Sequence, residues 1–339
     1  MKKIAQNIIN DINSLIINKK NIVIIPHQNP DGDAIGSVLG LFHFFTAKGK
    51  SATVISPNNF PDFLKWMPGA NDILIFTKNQ KHAKKLIQNA ELFVFGDFNS
   101  LSRIKNLEKS ILQNDAPKIL IDHHPYPDDF ANFTISDTSV SSTAELVFEF
   151  ILSLNSINEI DKNIAECLYA GILTDTGNFS YNSSNPRTFE IAAELLKKKI
   201  NKDHIFKNIY DNYALSRWKL LGYCLYEKMN ILHEFKVGYI SISKQELEDF
   251  DFVPGDTEGF VNYPLSVKGI VVSALFIEKN DIIKISFRSK GEYAVNELAK
   301  QYFNGGGHKN AAGGEIELSL NEAIEKFISV LPNFFEIDE

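Results

Sequence analysis

The chain has 339 residues, 44% hydrophobic and 12% aromatic, and carries a formal net charge of −7. That length favours two domains, and the apolar content, with 26 Phe, is ample for real cores. The negative balance excludes a global basic field for long nucleic acid, so any phosphate must be held by local groups or by metals.

No apolar run is long enough to span a membrane. The start, Met1-Lys2-Lys3 followed by mixed Ile and Asn, lacks the apolar core of a signal peptide. Cys167 and Cys224 lie in helical patterns and read as small core residues. A cytoplasmic location is expected. Arg occurs only at Arg103, Arg187, Arg217 and Arg288, so each is weighed as a phosphate ligand against a surface ion pair.

Along the chain, Ile22 to Ile25 reads as a buried strand and feeds the loop His27-Gln28-Asn29-Pro30-Asp31-Gly32-Asp33-Ala34. One imidazole and two carboxylates thus stand at a strand's carboxyl end, where open α/β sheets bind ligands. They suit a hard or borderline divalent metal, and Pro30 and Gly32 supply the turn. Taken alone, Pro-Asp-Gly-Asp reads equally well as an ordinary turn. Strands are expected at 22–26, 52–56, 72–76, 91–96, 117–121 and 133–136. Helices are expected at 2–18, 34–48, 79–89, 101–113 and 141–154. This alternation predicts an α/β fold with a Rossmann-like, mainly parallel sheet covered on both faces.

The fourth strand ends in Gly96-Asp97 and the fifth in Asp122-His123-His124. Ser142-Thr143-Ala144-Glu145 has capping-box spacing and is read as a helix start without chemistry. Further helices are expected at 162–174, 187–199, 202–210 and 214–229, the first running into Thr174-Asp175-Thr176-Gly177. After Met229, strands return at 230–235, 237–242, 269–277 and 282–288. A helix at 293–303, a strand at 314–318 and a helix at 319–331 complete a smaller α+β domain. The expected division is 1–186, a helical connector at 187–229, and 230–339.

A lone Asp after a strand is usually a cap or turn residue. The combination of His27, Asp31, Asp33, Asp97, His123, His124 and Asp175, each at an element's end, is far more specific. Such groups on one rim repel unless cations neutralise them. Together they can ligate two metals with one carboxylate bridging, an arrangement suited to phosphoryl displacement. Asn304-Gly305-Gly306-Gly307-His308-Lys309 reads as an anion-binding nest with charge beside it, or as a flexible Gly turn. His43, His82, His204 and His233 have no convergent partners and read as ordinary residues.

These motifs resemble the DHH phosphoesterase superfamily, whose signature stands here as Asp122-His123-His124. The second domain, with Phe287-Arg288-Ser289 and Gly305 to His308, resembles the DHH-associated C-terminal domain. Order and spacing are most similar to the bifunctional oligoribonuclease/pAp phosphatase branch. The resemblance implies that His27, Asp31 and Asp97 bind one Mn²⁺. Asp33, Asp97, His123 and Asp175 would bind a second, with Asp97 bridging. It implies that His124 contacts the scissile phosphate, and that Arg288 and His308 contact the nucleotide's other phosphate or its base-side neighbours. The amides of Gly305, Gly306 and Gly307 are read from the Gly run itself as holding phosphate oxygens. Arg103 matches a family Arg. Asp122 is expected to orient a metal-bound His. Imidazole ligands favour Mn²⁺ or another transition metal over Mg²⁺.

The resulting expectation is a phosphoesterase using water activated by two metals. Its substrates would be short RNA oligonucleotides, cut to mononucleotides, and pAp, converted to AMP, with no membrane partner and a homodimer allowed. The nearest alternative is a cyclic di-AMP or pApA phosphodiesterase. A processive single-strand DNA exonuclease would need a basic, aromatic-lined channel, which the net charge argues against. A family pyrophosphatase would lack the Gly-Gly-Gly-His loop. An inactive nucleotide sensor would be expected to have lost ligands, whereas every motif ligand is present.

Overall fold

The apolar run at residues 22–25 forms a central strand of the first of two six-stranded sheets in the computed structural model, which describes residues 5–280 and 282–336. The chain divides into two units, Met1–Asn212 and Tyr213–Glu339. Among the described residues no helix is long and apolar enough to cross a membrane.

In the first unit the strands are β1 (Asn21–Pro26), β2 (Ser51–Ser56), β3 (Leu74–Ile75), β4 (Leu92–Gly96), β5 (Lys118–Asp122) and β6 (Phe133–Ser136). They lie in the order β3-β2-β1-β4-β5-β6, and every pair is parallel. The order reverses between β1 and β4, which opens a crevice beyond their carboxyl ends. The strands alternate between two buried cores. Ile22, Ile24, Leu92, Val94, Ile119 and Ile121 enter one. Val23, Ile25, Phe93, Phe95 and Leu120 enter the other. Burial on both faces is why these strands read as unbroken apolar runs.

The helices of this unit are α1 (Gln6–Asn18), α2 (Gly32–Ala47), α3 (Gln80–Gln88), α4 (Glu108–Leu112), α5 (Thr143–Ser153), α6 (Lys162–Asp175), α7 (Pro186–Leu196) and α8 (Lys202–Tyr210). The first helix was expected from residue 2, and residues 2–4 lie outside the described ones. The single helix expected at 101–113 is instead a 3₁₀ segment, Leu101–Leu107, followed by α4. Lys105 breaks it, with φ of 38° in the left-handed region.

Residues 187–229, expected as a connector, divide between two cores. Ile191, Leu195, Ile205 and Ile209 of α7 and α8 join the first unit's core. Leu220 and Leu221 of α9 (Leu215–Tyr223) join a core of the second unit.

That second unit also has β7 (Met229–Leu232), β8 (Val237–Ile242), α10 (Lys244–Asp249), β9 (Val272–Lys279), β10 (Ile282–Ser289), α11 (Val295–Tyr302), β11 (Gly306–His308), β12 (Ala311–Ile316) and α12 (Leu320–Glu336). The sheet order is β11-β12-β10-β9-β8-β7, antiparallel except for β8 with β9. One face packs Phe276, Ile285 and Phe287 against Leu298 of α11 and Phe327 of α12. The other packs Ile240, Ile242 and Leu275 against Leu220, Leu247 and Phe260.

The feature that places the site is the seam between α2 and α6. Gly32, Gly36 and Gly40 recur four apart and so share one stripe of α2. A Cβ at Gly36 would lie 2.5 Å from the Cys167 carbonyl oxygen, and one at Gly32 would lie 2.4 Å from the Thr174 side chain. The two backbones touch because side chains are missing there. Gly36→Ala must part backbone from backbone, and a stability loss of about 1–3 kcal/mol is expected by chemical denaturation. At Gly40 the nearest atom belongs to the Leu168 side chain. Gly40→Ala is therefore expected to cost distinctly less, and equal losses would show that the seam does not act this way.

Candidate metal centre

Each ionisable group of the site stands at the carboxyl end of an element, on the rim that the strand order opens. His27 follows β1, and its Nδ1 faces the Gln28 carbonyl oxygen at 2.8 Å. That contact places the ring proton on Nδ1 and turns Nε2 to Asp97 Oδ2 at 3.5 Å and Asp31 Oδ2 at 3.9 Å. Asp31 caps α2 by accepting from the Ala34 amide. Two residues later on the same turn, Asp33 is buried and points the other way. Its Oδ2 accepts from the Thr143 amide at 2.6 Å and its Oδ1 from the Ala144 amide at 2.9 Å, both at the start of α5. A helix amino terminus favours negative charge, so α5 anchors this carboxylate.

Asp97 is the centre of the cluster. It follows β4 with φ of 69°, an uncommon conformation for a residue with a side chain. It is buried, and its Oδ1 accepts from the Thr143 hydroxyl at 2.8 Å. Oδ1 also lies 3.6 Å from His123 Nε2 and 3.8 Å from His124 Nδ1. His123 Nε2 reaches Asp175 Oδ2, at the end of α6, at 3.6 Å and Asp33 Oδ2 at 4.0 Å. His124 Nδ1 bonds Asp122 Oδ1 at 2.7 Å. The other oxygen of Asp122 is buried with no hydrogen-bond partner among the described residues.

Ligand atoms of His27, Asp31 and Asp97 all lie within 4.8 Å of one another, as do those of Asp33, His123 and Asp175. Burial pushes the Asp33 carboxyl well above the usual carboxylate range, and the Asp97 charge adds to this. Burial does the same to Asp97, reinforced by Asp31. Burial also lowers the pKa of His27, so its ring stays neutral, the form in which an imidazole ligates. At His124 burial opposes the charged form, but the Asp122 hydrogen bond and the Asp97 charge prevail and raise its pKa. Crowded carboxylates, a neutral imidazole with a fixed tautomer and an orphaned buried oxygen fit divalent cations.

All seven residues expected to converge do so. Of the Arg residues, Arg103 is near enough that its charge disfavours protonated His27, and its carbonyl oxygen accepts from the Gln28 amide. Arg187 pairs with Glu149 and Glu190, and Arg217 donates to the carbonyls of Asp256 and Glu258. His43 bonds the Pro68 carbonyl, and His82 and His233 are exposed on the surface.

In the second unit, Arg288 of β10 is in register with Ala311 of β12, which is in register with His308 of β11. The two residues therefore share one row of the sheet. The expected Gly305–Gly307 nest is not formed. The Gly305 amide donates to the Ala299 carbonyl, and Gly306 and Gly307 belong to β11, where successive amides point to opposite edges. Gly305 and Gly307 serve close packing instead, whereas a Cβ at Gly306 would meet open space. Gly307 has φ of 141°, and a Cβ there would meet the Ala311 carbonyl oxygen at 2.5 Å.

Sequence reasoning missed Thr143, which it read as part of a cap. The signal was ambiguous, because Ser142 does fill the cap by accepting from the Glu145 amide. No local pattern announces a hydroxyl aimed at a strand end 46 residues away.

Residues 21–172 match the DHH family, N-terminal domain, and residues 235–336 match the DHHA1 domain. The chain is 31% identical over 306 residues to the probable bifunctional oligoribonuclease and PAP phosphatase NrnA of Streptococcus mutans, covering 89% of this chain and 92% of that one. It is 25% identical to the cyclic-di-AMP phosphodiesterase GdpP of Bacillus subtilis, covering 98% of this chain and 50% of that one. A crystal structure of an exopolyphosphatase-related protein from Bacteroides fragilis superposes with a TM-score of 0.95 at 45% identity, over 99% of both chains. With Asp122-His123-His124 at the switch-point rim of a parallel sheet, the chain belongs to the DHH family.

Proposed function

We propose that this chain is a Mn²⁺-dependent phosphoesterase that hydrolyses short oligoribonucleotides to mononucleotides and dephosphorylates pAp to AMP. The observation that carries the reading is the posture of Asp97. Its two oxygens face different imidazoles, Oδ2 toward His27 and Oδ1 toward His123, as a carboxylate shared by two cations must. His27, Asp31 and Asp97 would hold one cation, and Asp33, Asp97, His123 and Asp175 the other. Nitrogen donors favour Mn²⁺ over Mg²⁺. Divalent cations held there supply Lewis-acid activation of water and of the phosphoryl group.

The chain's own residues do the rest. Asp122 holds His124 through Nδ1 and favours its protonated form, so His124 Nε2 can donate to the scissile phosphate and its departing oxygen. Arg288 and His308, on one row of the second sheet, grip a part of the substrate away from the scissile bond. The relative named as an oligoribonuclease and PAP phosphatase supports this substrate class. A second reading, cleavage of cyclic di-AMP or pApA, is favoured by the match to a cyclic-di-AMP phosphodiesterase over 98% of the chain.

Three outcomes are expected. Asp97→Asn removes the charge that both cations share, and turnover should fall by at least about a hundredfold with the fold retained. His82→Ala on exposed α3 is the matched control, and near-normal activity of the Asp97 variant at saturating Mn²⁺ would remove the two-metal assignment.

The second outcome follows from linkage. Asp33 and Asp97 bind protons more tightly folded than unfolded. The metal-free protein therefore loses stability as pH rises above about 4, until the raised folded values are passed. Cations replace those protons, so the rise in melting temperature on adding Mn²⁺ should be larger near pH 8 than near about pH 5.5. An equal rise at both would contradict the assignment of these carboxylates as ligands.

In the third, the purified protein with Mn²⁺ is offered RNAs of increasing length, pAp, pApA and cyclic di-AMP side by side. Turnover should be best on the shortest RNAs and on pAp, and clear preference for the cyclic or pApA substrate would install the second reading. Arg288→Ala and His308→Ala should slow RNA dimers and pAp while sparing bis-p-nitrophenyl phosphate, which lacks a remote phosphate. Equal loss on both would make these residues structural.

A further inference from the structure

We infer that Thr143 is a positioning residue that sets the orientation of the shared carboxylate of Asp97, and through it the affinity of the centre for divalent cations. The inference rests on the two-metal reading above. Thr143 is the first residue of α5, one position after the N-cap Ser142. Ser142 caps the helix by accepting from the Glu145 amide, and the Thr143 hydroxyl takes no part in that cap. It donates to Asp97 Oδ1 at 2.8 Å, and the residue is fully buried. The same residue's amide donates to Asp33 Oδ2 at 2.6 Å, and the next amide donates to Asp33 Oδ1 at 2.9 Å. One turn of helix therefore holds the two buried carboxylates, delivered by α2 and by the end of β4.

The geometry at Asp97 explains why its orientation needs a device. Oδ2 must face His27 at 3.5 Å while Oδ1 faces His123 at 3.6 Å. Rotation about the Cβ–Cγ bond would turn both oxygens away at once, and that terminal torsion is intrinsically broad. The hydroxyl of Thr143 pins Oδ1. Thr suits this task because its second substituent at Cβ restricts χ1, so the donor stays aimed. Outer partners of metal-ligating groups commonly control affinity by about 10–100-fold when removed.

The test compares Thr143→Val, which keeps the shape and removes the donor, with Thr143→Ser, which keeps the donor. Binding of Mn²⁺ to the metal-stripped protein is measured by titration calorimetry, with folding checked by circular dichroism. Thr143→Val should weaken Mn²⁺ binding by about 10–100-fold. Thr143→Ser should bind nearly as the wild type does, and kcat of Thr143→Val at saturating Mn²⁺ should stay within about tenfold of normal. If Thr143→Val does not fold, Thr143→Ala takes its place with the same expectation. Wild-type affinity in the donor-less variant overturns the inference, as does a loss in Thr143→Ser equal to that in Thr143→Val, which would mark packing as the role. A wild-type protein that binds no divalent cation would instead defeat the metal reading on which the inference rests.

Discussion

Two buried carboxylates held side by side are the constraint on which the first unit is organised. Asp33 and Asp97 are each removed from water; the Asp97 charge raises the cost of charging Asp33, and the Asp31 charge does the same to Asp97. Such a pair stays folded and ionised only if the surroundings supply positive potential. The amino terminus of α5 supplies part of it to Asp33, and the Thr143 hydroxyl part to Asp97. The imidazoles of His27, His123 and His124 line the remaining approaches. Divalent cations would add the positive charge that such a pair favours.

The fold delivers these groups by two independent devices. The parallel sheet brings the ends of β1, β4 and β5 to one rim, which accounts for His27, Asp97, Asp122, His123 and His124. Asp33 and Asp175 need something else, because they stand at the beginning of one helix and the end of another. Their approach depends on the glycine stripe of α2, which lets α6 lie against its backbone. Gly171 of α6 continues the logic, since a Cβ there would lie 2.9 Å from Asp33 Oδ1 and 2.8 Å from the Ala144 Cβ. The seam thus fixes α2, α6 and the start of α5 together, and Asp33 and Asp175 stand at its outer end.

The sheet and the converging ionisable residues were legible because both write short-range signals. Apolar runs such as Leu92–Phe95 announce strands, and an ionisable residue after each run announces a rim. What stayed hidden depends on partners far along the chain. Gly32, Gly36 and Gly40 look like weak helix formers until Cys167 and Leu168 are set against them. Thr143 looks like a cap until Asp97 is brought up to it. Lys105 carries no sequence mark of its left-handed backbone, so the helix expected at 101–113 was drawn through it. The Gly305–Gly307 run misled for a different reason. Glycine is demanded both by nests and by tight strand crossings, and only the pairing of β11 with β12 decides between them.

The acidity of the chain, awkward for a protein that meets phosphates, follows from the same constraint. Four carboxylates, those of Asp31, Asp33, Asp97 and Asp175, crowd the rim, and an approaching phosphodiester would be repelled by them. Cations at the site reverse that field locally without changing the charge of the surface elsewhere. Recognition of the anion is thereby confined to the place where it can be cleaved. The net charge of −7 and the scarcity of Arg mean that a long polyanion gains nothing from the rest of the surface.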